Sequence, residues 1–347
     1  MLRGRPNTSC VRMNGARIPP AIVIIGRNEG ERLKRCLASL PTDGTRVYVD
    51  SGSTDGSQDH AQNLGVTVVD LDRSVGFTAA RARNAGLAIV RQGAAIPEFV
   101  QMIDGDCELD PHWINIAIAA LEAEPDLAAV FGRRRERFPE RSVYNKQCDD
   151  EWDVPIGYVE ACGGDAMFRL AALSAVGDYQ PDLIAGEEPD LCLRLARQGW
   201  KIKRIDAEMT LHDAALLHFS QWWRRARRSG HAYAEHVWRH GRQSIPSWRR
   251  QVSSILIWGM AVPIAAVALI TARMLGYPTA AAALVVLAVY PLQIFRIALR
   301  RSEGGSPDFP YAALIVVGKF AEMGGMARFH VNRLRGYAPH IIEYKSA

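Results

Sequence analysis

The sequence lacks closely paired cysteines, and its first 20 residues lack the apolar core of a signal peptide. Its six cysteines stand singly, so they form neither a CxxC redox motif nor the spacing of a zinc site. Residues 1–20 contain no apolar core of the kind that a signal peptide requires, and we predict a flexible, mildly basic tail there. Scattered, reduced thiols fit a protein whose main part lies in the cytoplasm.

Charge is absent from two long stretches near the C-terminus. Residues 252–272 and 274–295 contain no Asp, Glu, Lys or Arg, and Arg273 alone separates them. A helix needs about 20 apolar residues to cross the hydrocarbon core of a bilayer, and each stretch is long enough. We therefore predict a transmembrane helical hairpin over residues 251–299. A buried hairpin in a soluble helical domain is the alternative.

Arginines flank the predicted hairpin on both sides. Arg249 and Arg250 precede the first span, and Arg296, Arg300 and Arg301 follow the second. Because cytoplasmic segments carry the excess of basic residues, both ends are expected in the cytoplasm, with a short loop outside. This pattern predicts a multi-pass protein of the cytoplasmic membrane. The remainder, residues 300–347, is expected to form an interfacial helix and a cytoplasmic tail.

The segment before the hairpin, residues 221–250, is strongly basic. It carries eight arginines and one acid, Glu235, together with Trp222 and Trp223. Next to a membrane entry, this composition predicts an interfacial helix on anionic lipid, so membrane lipids are expected partners. Nucleic acid is the competing partner for a basic face. No nucleic-acid-binding motif accompanies the segment, and we predict that nucleic acid does not bind.

The first two thirds of the chain alternate between two patterns. Apolar runs of strand length occur at residues 21–25, 47–49 and 66–69 and before Asp104, and helical patterns lie between them. This alternation predicts βαβ units and a doubly wound α/β sheet, in a domain that we place at residues 21–220. Ligands of such sheets bind beyond the C-terminal ends of the strands. Asp50, Asp104 and Asp106 all fall there.

Asp104-Gly105-Asp106 ends the fourth apolar run. Two carboxylates at a strand end are ligands for a hard divalent cation such as Mg²⁺ or Mn²⁺, and such cations often bridge to phosphate. Gly105 would allow the backbone to approach a ligand closely. The alternative is a hairpin turn, which Asp-Gly between apolar runs also favours.

Other polar stretches allow a structural and a functional interpretation. The loop from Asp50 to Ser57 suits either an N-capped helix or contact with a nucleobase. Arg83 suits either a solvated helix face or a diphosphate, and Gly164 either a turn or a close approach to substrate. The charge run at residues 133–137 is expected to be mainly a solvated loop, with contact to a phosphate as the alternative. Acidic residues at 187 and 188 suit either a helix dipole or a catalytic base.

Taken together, these motifs resemble the family 2 glycosyltransferases over roughly residues 21–228. The members of that family are inverting enzymes with the A-type nucleotide-sugar-binding fold. The motifs that carry the resemblance occur in the family's order: Asn28-Glu29, residues 49–56, Ala82-Arg83-Asn84, Asp104-Gly105-Asp106, Gly163-Gly164-Asp165 and Glu187-Glu188.

The resemblance implies a role for each position. Asp50 would contact the nucleobase and Arg83 the donor. Asp104 and Asp106 would form the DxD pair that holds Mg²⁺ or Mn²⁺, with His212 as a further metal ligand. Glu188 would be the general base, with Glu187 as the alternative. Two further groups follow from it: a nucleotide-sugar set of Asn28, Glu29, Asp50, Ser53, Asp55, Arg83, Asp104, Gly164 and Asp165, and an acceptor or membrane-proximal set of Gln221, Trp222, Trp223 and Arg224.

The function implied is metal-assisted transfer of a sugar from a nucleotide sugar, with UDP as the expected nucleotide. The acceptor would be a lipid-linked molecule or a growing glycan in the synthesis of surface polysaccharide or glycolipid. Polyprenyl phosphate as acceptor is one alternative. A membrane scaffold that binds nucleotide sugar without turnover is another.

Overall fold

A computed structural model describes residues 12–13, 16–72, 74–301 and 306–336. The strands are β1 (Arg12–Met13), β2 (Ala16–Arg17), β3 (Ala21–Gly26), β4 (Arg46–Asp50), β5 (Thr67–Asp70), β6 (Phe99–Asp104), β7 (Cys107–Leu109), β8 (Leu127–Glu136), β9 (Gly157–Tyr158), β10 (Ala166–Arg169) and β11 (Lys201–His212). The helices are α1 (Glu31–Ser39), α2 (Ser57–Asn63), α3 (Ala79–Gln92), α4 (Trp113–Ala123), α5 (Val143–Trp152), α6 (Leu170–Val176), α7 (Glu187–Arg197), α8 (Phe219–His240), α9 (Pro246–Leu256), α10 (Val262–Met274), α11 (Ala280–Arg300) and α12 (Phe309–Leu334).

The chain divides into two compact units. We call the first the sheet unit; it comprises the described parts of Met1–Arg137, with Trp152–Asp182 and Glu187–Asp213. The second, the helical unit, comprises Phe138–Glu151, Leu183–Gly186 and the described residues from Ala214 onward. Two short segments from within the domain predicted at residues 21–220 thus belong to the helical unit. The division into five segments proposed from the sequence stays a prediction.

A nine-stranded mixed sheet forms the centre of the sheet unit, which confirms the α/β prediction. The order is β5-β4-β3-β6-β10-β8-β11-β7, with β9 beside β11. Strands β5, β4, β3 and β6 run parallel, as do β8 and β11, whereas β10 is antiparallel to both β6 and β8. Since β10 reverses direction between them, β6 and β8 point the same way. The last residues of β4, β6, β8 and β11 therefore lie at one edge of the sheet: Asp50, Asp104, Glu136 and His212.

The core of the sheet unit explains why these strands form. Ile22, Val23 and Ile24 are buried on both faces of β3, as a continuous apolar run predicts for a strand covered by helices on both sides. Trp113 of α4 is also completely buried, and its indole N–H donates to Oε1 of Gln101 at 2.7 Å. A buried indole that has found its acceptor avoids the cost of an unpaired donor.

The charge run at residues 133–137 is a correction to the sequence analysis. Its residues through Glu136 continue β8 instead of forming a solvated loop, and Arg133 and Glu136 are buried. The reason is β11, which runs on to His212 and pairs with β8 in parallel up to the pair His212 and Glu136. Because side chains alternate along a strand, Arg134 and Glu136 share one face and Arg133 and Arg135 share the other.

Glycines bring the helices of the helical unit into close contact. A Cβ on Gly230 of α8 would lie 2.0 Å from the carbonyl oxygen of Glu322, and one on Gly325 of α12 would lie 1.9 Å from that of Arg227. The backbones of α8 and α12 touch at these points, a packing that small residues permit. Helix α12 has 26 residues and lies in the part of the chain, residues 300–347, where an interfacial helix is predicted.

Among the residues that the structure describes, two helices of the helical unit are long and apolar enough to cross a membrane. They are Pro246–Met274, which joins α9 and α10 through a short π-helical turn, and Ala280–Arg300. Only 11% of the most apolar window of each is buried within the protein. Large apolar side chains such as Val267 and Leu284 are 62% and 69% exposed. Surfaces of this kind favour association with a membrane.

Candidate active site

The loop after β4 is held by its own acidic residue. Asp50 is completely buried, and its carboxylate accepts hydrogen bonds from four groups: the Tyr48 hydroxyl at 2.8 Å, the amides of Gly52 and Ser53 at 2.9 and 2.7 Å, and Nε2 of Gln58 at 2.8 Å. Burial opposes ionisation of Asp50, but these hydrogen bonds outweigh it and lower the pKa. Asp50 therefore shapes the loop, and its contact with a nucleobase stays a prediction.

Asn28, Ser53 and Asp55, which are predicted to bind the nucleotide sugar, join two loops at this edge of the sheet. The amide of Asn28 donates to Oγ of Ser53 at 2.8 Å, and Oδ1 of Asn28 accepts from the amide of Thr54 at 2.8 Å. Asp55 accepts from the amide of Gly30 at 2.8 Å. Asn28 adopts a positive φ of 53°, which asparagine tolerates better than most residues. These side chains bind the loop after β3 to the loop after β4.

Glu29 is the other residue of the first loop that is predicted to bind the nucleotide sugar, and it lies beside α1. Its Oε2 is 2.8 Å from Nη2 of Arg32, one turn further along the chain. Its side chain is 9% exposed. Glu29 thus lies just before α1, and its contact with the donor stays a prediction.

Arg83 connects the predicted metal motif to the predicted catalytic base. This side chain of α3 is 3% exposed. Its Nη2 donates to Oδ1 of Asp104 at 3.0 Å, and its Nη1 lies 2.9 Å from Oε1 of Glu187 and 2.7 Å from Oε1 of Glu188. A rigid guanidinium can satisfy three carboxylates at once, which an ammonium cannot do with the same geometry. Arg83 thereby joins Asp104, about 20 positions away in the sequence, and the two glutamates, about 100 positions away, in one cluster.

Glu188, the predicted general base, has a raised pKa. Burial and the neighbouring charge of Glu187 raise the pKa of Glu188 to about 7, although Arg83 acts in the opposite direction. The Glu188 side chain is 13% exposed, whereas that of Glu187 is 5% exposed. A carboxylate whose pKa lies near neutral pH, with part of its surface open, is suited to accept a proton at physiological pH. This geometry favours Glu188 over Glu187 for that role.

Gly164 and Asp165 support this cluster from the next loop. A Cβ on Gly164 would lie 2.6 Å from Nη2 of Arg83 and 2.9 Å from Oδ2 of Asp104. Asp165 is buried; it accepts from the amide of Asp104 at 2.9 Å and from the hydroxyl of Thr210 at 2.8 Å. Asp165 therefore positions Asp104, and Gly164 allows the loop to approach it.

A second cluster contains predicted metal ligands. Nε2 of His212 lies 3.2 Å from Oδ2 of Asp106, and both residues are buried. Candidate ligand atoms of Asp106, Cys107 and His212 all lie within 4.8 Å of one another, the one such grouping among the described residues. Burial raises the pKa of the Cys107 thiol, which disfavours the thiolate that a metal would require. Asp104 lies against Arg83, so its predicted part in metal binding stays a prediction.

Comparison with known proteins gives the family of this fold and site. The model of the family described as "Glycosyl transferase family 2" matches residues 21–161. Residues 21–161 therefore form a domain of this family, and the protein is a glycosyltransferase. The matched residues include the loops after β3 and β4, Arg83 and the Asp104-Gly105-Asp106 motif.

The solved structure of a mannosyltransferase supports the same fold for this glycosyltransferase. The mannosyltransferase PcManGT from Pyrobaculum calidifontis, in complex with GDP-Man and Mn²⁺, superposes with a TM-score of 0.63 and 20% identity, covering 92% of this chain and 88% of that one. Residues 1–349 of TarS from S. aureus give a TM-score of 0.44 and 15% identity, covering 63% and 65%. No match was found among curated protein sequences.

The predicted acceptor residues of the glycosyltransferase lie in the helical unit. Gln221 caps α8, since its Oε1 accepts from the amides of Leu217 and His218 at 2.9 and 3.0 Å. Trp222 is buried and donates from Nε1 to Oε1 of Gln147 at 2.8 Å. Both side chains thus have structural roles. Trp223 and Arg224 are half-buried, and their role at an acceptor stays a prediction.

Three further residues of the site, Arg134, Glu136 and Trp152, were not identified from the sequence. Arg134 lies 3.5 Å from carboxylate oxygens of both Asp104 and Asp165, and its guanidinium stacks on Trp152 at 4.7 Å. Glu136 lies 3.3 Å from Nδ1 of His212. The sequence signal for two of them was that Arg134 and Glu136 are two positions apart, which places their side chains on the same face of a strand. This spacing is informative only if the charge run is a strand.

Proposed function

We propose that this glycosyltransferase transfers a sugar from a nucleotide sugar to an acceptor hydroxyl, with inversion at the anomeric carbon. The observation that carries the proposal is the bridge that Arg83 forms between Asp104 and Glu188. It holds a base with a pKa of about 7 next to the motif at which the family binds its donor. The reaction therefore has its base and its donor-binding residues in one cluster.

In the proposed reaction, Glu188 accepts the proton of the acceptor hydroxyl as the oxygen attacks the anomeric carbon. The bond between that carbon and the diphosphate oxygen breaks, and the nucleoside diphosphate leaves with the electron pair. A positioned base contributes about 10²–10⁴-fold to such a step. Arg83 keeps the carboxylate of Glu188 oriented, and the charge of Glu187 keeps it basic.

Asp106 and His212 have the geometry to hold a divalent cation. Oδ2 of Asp106 and Nε2 of His212 lie 3.2 Å apart, close enough for both atoms to contact one cation. We propose that Asp106 and His212 bind the metal. Asp104 would be a further metal ligand or would contact the nucleotide sugar. A bound cation would stabilise charge on the departing diphosphate. A set that mixes carboxylate with imidazole favours Mn²⁺ over Mg²⁺.

The nucleotide of the donor is proposed from two sources that differ. The sequence resemblance suggests UDP, whereas PcManGT, which has the same fold, is described in complex with GDP-Man. Because Asp50 is buried under its own hydrogen bonds, it does not decide between the bases. We therefore propose a nucleotide sugar as donor and compare UDP and GDP sugars directly.

We further propose that the two apolar helices anchor the enzyme in the cytoplasmic membrane, with the sheet unit in the cytoplasm. Their exposed apolar surface and the flanking Arg249, Arg250, Arg300 and Arg301 support this arrangement. A lipid-linked or glycan acceptor at the inner leaflet fits an anchored enzyme. Surface polysaccharide or glycolipid synthesis is the corresponding pathway class.

The test is product formation by purified full-length protein in lipid. UDP and GDP sugars are supplied with Mn²⁺ or Mg²⁺ and membrane extract, and release of nucleoside diphosphate and labelled glycolipid are measured. We expect release with one donor class, lost in Asp106→Ala and retained in Asp43→Ala, which changes an exposed aspartate. No release with any donor would overturn the proposal.

A variant of the base distinguishes the two acceptor classes. Glu188→Gln should abolish transfer to a hydroxyl but should spare transfer to polyprenyl phosphate, which is already ionised and needs no strong base. The raised pKa of Glu188 favours the hydroxyl acceptor. Activity near that of the wild type in Glu188→Gln would favour polyprenyl phosphate instead.

A further inference from the structure

Glu136 is the last residue of β8, and it lies directly beside His212. The two residues are partners in the parallel pairing of β8 and β11, and Oε2 of Glu136 is 3.3 Å from Nδ1 of His212. Glu136 is 4% exposed, and its side chain has no exposed surface. A buried carboxylate at this distance can accept a hydrogen bond from the imidazole.

His212 lies between two carboxylates that contact its two ring nitrogens. Asp106 faces Nε2 at 3.2 Å, and Glu136 faces Nδ1 at 3.3 Å. If the proton is on Nδ1 and points to Glu136, the lone pair of Nε2 points to Asp106. In metal sites, a ligating histidine almost always donates its other N–H to an acceptor of this kind.

The remaining neighbours restrict rotation of the imidazole. Trp152 packs edge-on against it, with ring centroids 4.6 Å apart, and Arg134 stacks on Trp152. The amide of Arg137 donates to the carbonyl oxygen of His212 at 2.7 Å, which fixes the end of β11. The ring therefore has one packed orientation, with Nε2 towards Asp106.

We propose that Glu136 is a positioning residue that fixes the tautomer and orientation of His212, so that Nε2 and Asp106 bind the divalent cation together. This inference rests on the metal site of the proposed function. It adds a residue from the charge run at 133–137 that neither the sequence motifs nor the family match assigns to a metal. The competing explanation is that Glu136 only stabilises the end of the sheet.

The experiment measures Mn²⁺ itself, apart from catalysis. Full-length protein in lipid is titrated with Mn²⁺, with and without UDP or GDP, and free Mn²⁺ is followed by electron paramagnetic resonance. Pulsed resonance of the bound ion then detects ¹⁴N coupling from a coordinated imidazole. The proteins compared are the wild type, Glu136→Gln, Glu136→Leu and His212→Ala, with Glu208→Gln as the control. Glu208 is an exposed glutamate of β11 that pairs with Arg135 on the other sheet face.

We expect ¹⁴N coupling in the wild type and its loss in His212→Ala. Glu136→Leu should weaken Mn²⁺ binding by about 10- to 100-fold and should lose or alter the ¹⁴N coupling. Glu136→Gln still offers an acceptor to Nδ1–H, so it should keep the coupling and bind Mn²⁺ with intermediate affinity. Glu208→Gln should match the wild type.

Three results would overturn the inference. The first is wild-type protein that binds no Mn²⁺, and the second is bound Mn²⁺ without ¹⁴N coupling. The third is a pair of Glu136 variants with wild-type affinity and coupling but lower melting temperatures, which would mean a purely structural role. Transfer of labelled sugar is assayed separately, so the glycosyltransferase proposal can survive any of these results.

Discussion

At the scale of single residues, the candidate site depends on one buried arginine. Arg83 holds Asp104, Glu187 and Glu188 together, and the two glutamates would repel each other without it. The pKa of Glu188 is the net result of burial and Glu187, which raise it, and Arg83, which lowers it. The acid–base behaviour of the enzyme should therefore respond to each of these neighbours.

The first prediction concerns pH. The base must be unprotonated, so kcat/KM should be high above about pH 7. It should decrease below that pH, because Glu188 gains a proton. Glu187→Gln removes a negative neighbour, which lowers the pKa of Glu188 and should move the rising limb to lower pH. Initial rates from pH 5 to 9 measure both limbs, and an unchanged limb in Glu187→Gln would contradict the assignment.

The second prediction concerns the two adjacent glycines. Gly164→Ala places a methyl group against Arg83 and Asp104 and should reduce kcat/KM by about 100-fold, the cost of misplacing reacting groups by about 1 Å. Gly163→Ala is the matched control, because its Cβ would meet nothing within 4 Å, and its activity should stay within a few-fold of the wild type. Equal activity of the two variants would argue against the close approach.

At the scale of elements, pairing between β8 and β11 brings distant residues into the site. The pair extends to Glu136 and His212, although both strands carry many charged residues near their ends. Parallel pairing places the last residues of both strands at the edge where β6 ends. The pairing of β8 with β11 therefore determines which charged side chains face the site and which face solvent.

The third prediction tests the crossing of α8 and α12. Gly325→Ala places a Cβ 1.9 Å from a backbone oxygen that cannot move away alone, so it should lower the unfolding free energy by about 1–3 kcal/mol or more. Gly324→Ala is the control, since its nearest neighbour is the side chain of Arg227 at 4.0 Å. Helix propensity should make this control neutral or more stable by up to about 1 kcal/mol. Thermal unfolding in detergent compares them, and equal stability would refute the close crossing.

At the scale of the whole molecule, the family match covers strands β3 to β9 of the sheet, and the helical unit carries the apolar helices. The residues matched by the family model end at 161, before Glu188 and His212. The fold match to PcManGT nevertheless covers 92% of the chain. The second half of the site therefore rests on the tertiary structure of this chain.

The fourth prediction concerns the apolar helices. Val267→Lys with Leu284→Lys places charges on surfaces that face lipid in the proposed arrangement, at about 2.5–3.5 kcal/mol each near the bilayer centre. Membrane retention after alkaline carbonate washing should fall. Ile96→Lys changes an apolar residue of the sheet unit that is 50% exposed and should leave retention unchanged. Full retention of the double variant would mean that the helices do not span the membrane.

The sequence by itself determined the local parts of this protein. Continuous apolar runs specified β3, β4 and β6, and the uncharged stretches specified the two long apolar helices, because burial on both faces and contact with lipid both require uninterrupted apolar residues. Ordered motifs also identified the family. Each of these signals lies within a short window of sequence.

Only the tertiary structure decided which of the candidates act together. Arg83 with Glu188, and Glu136 with His212, are pairs separated by more than 70 residues, and strand order and register bring each pair together. The structure also gave Asp50, Asp165 and Gln221 supporting roles, since hydrogen bonds within the protein occupy them. The pKa of a carboxylate depends on burial and on neighbours from other elements. A sequence pattern contains neither of these quantities.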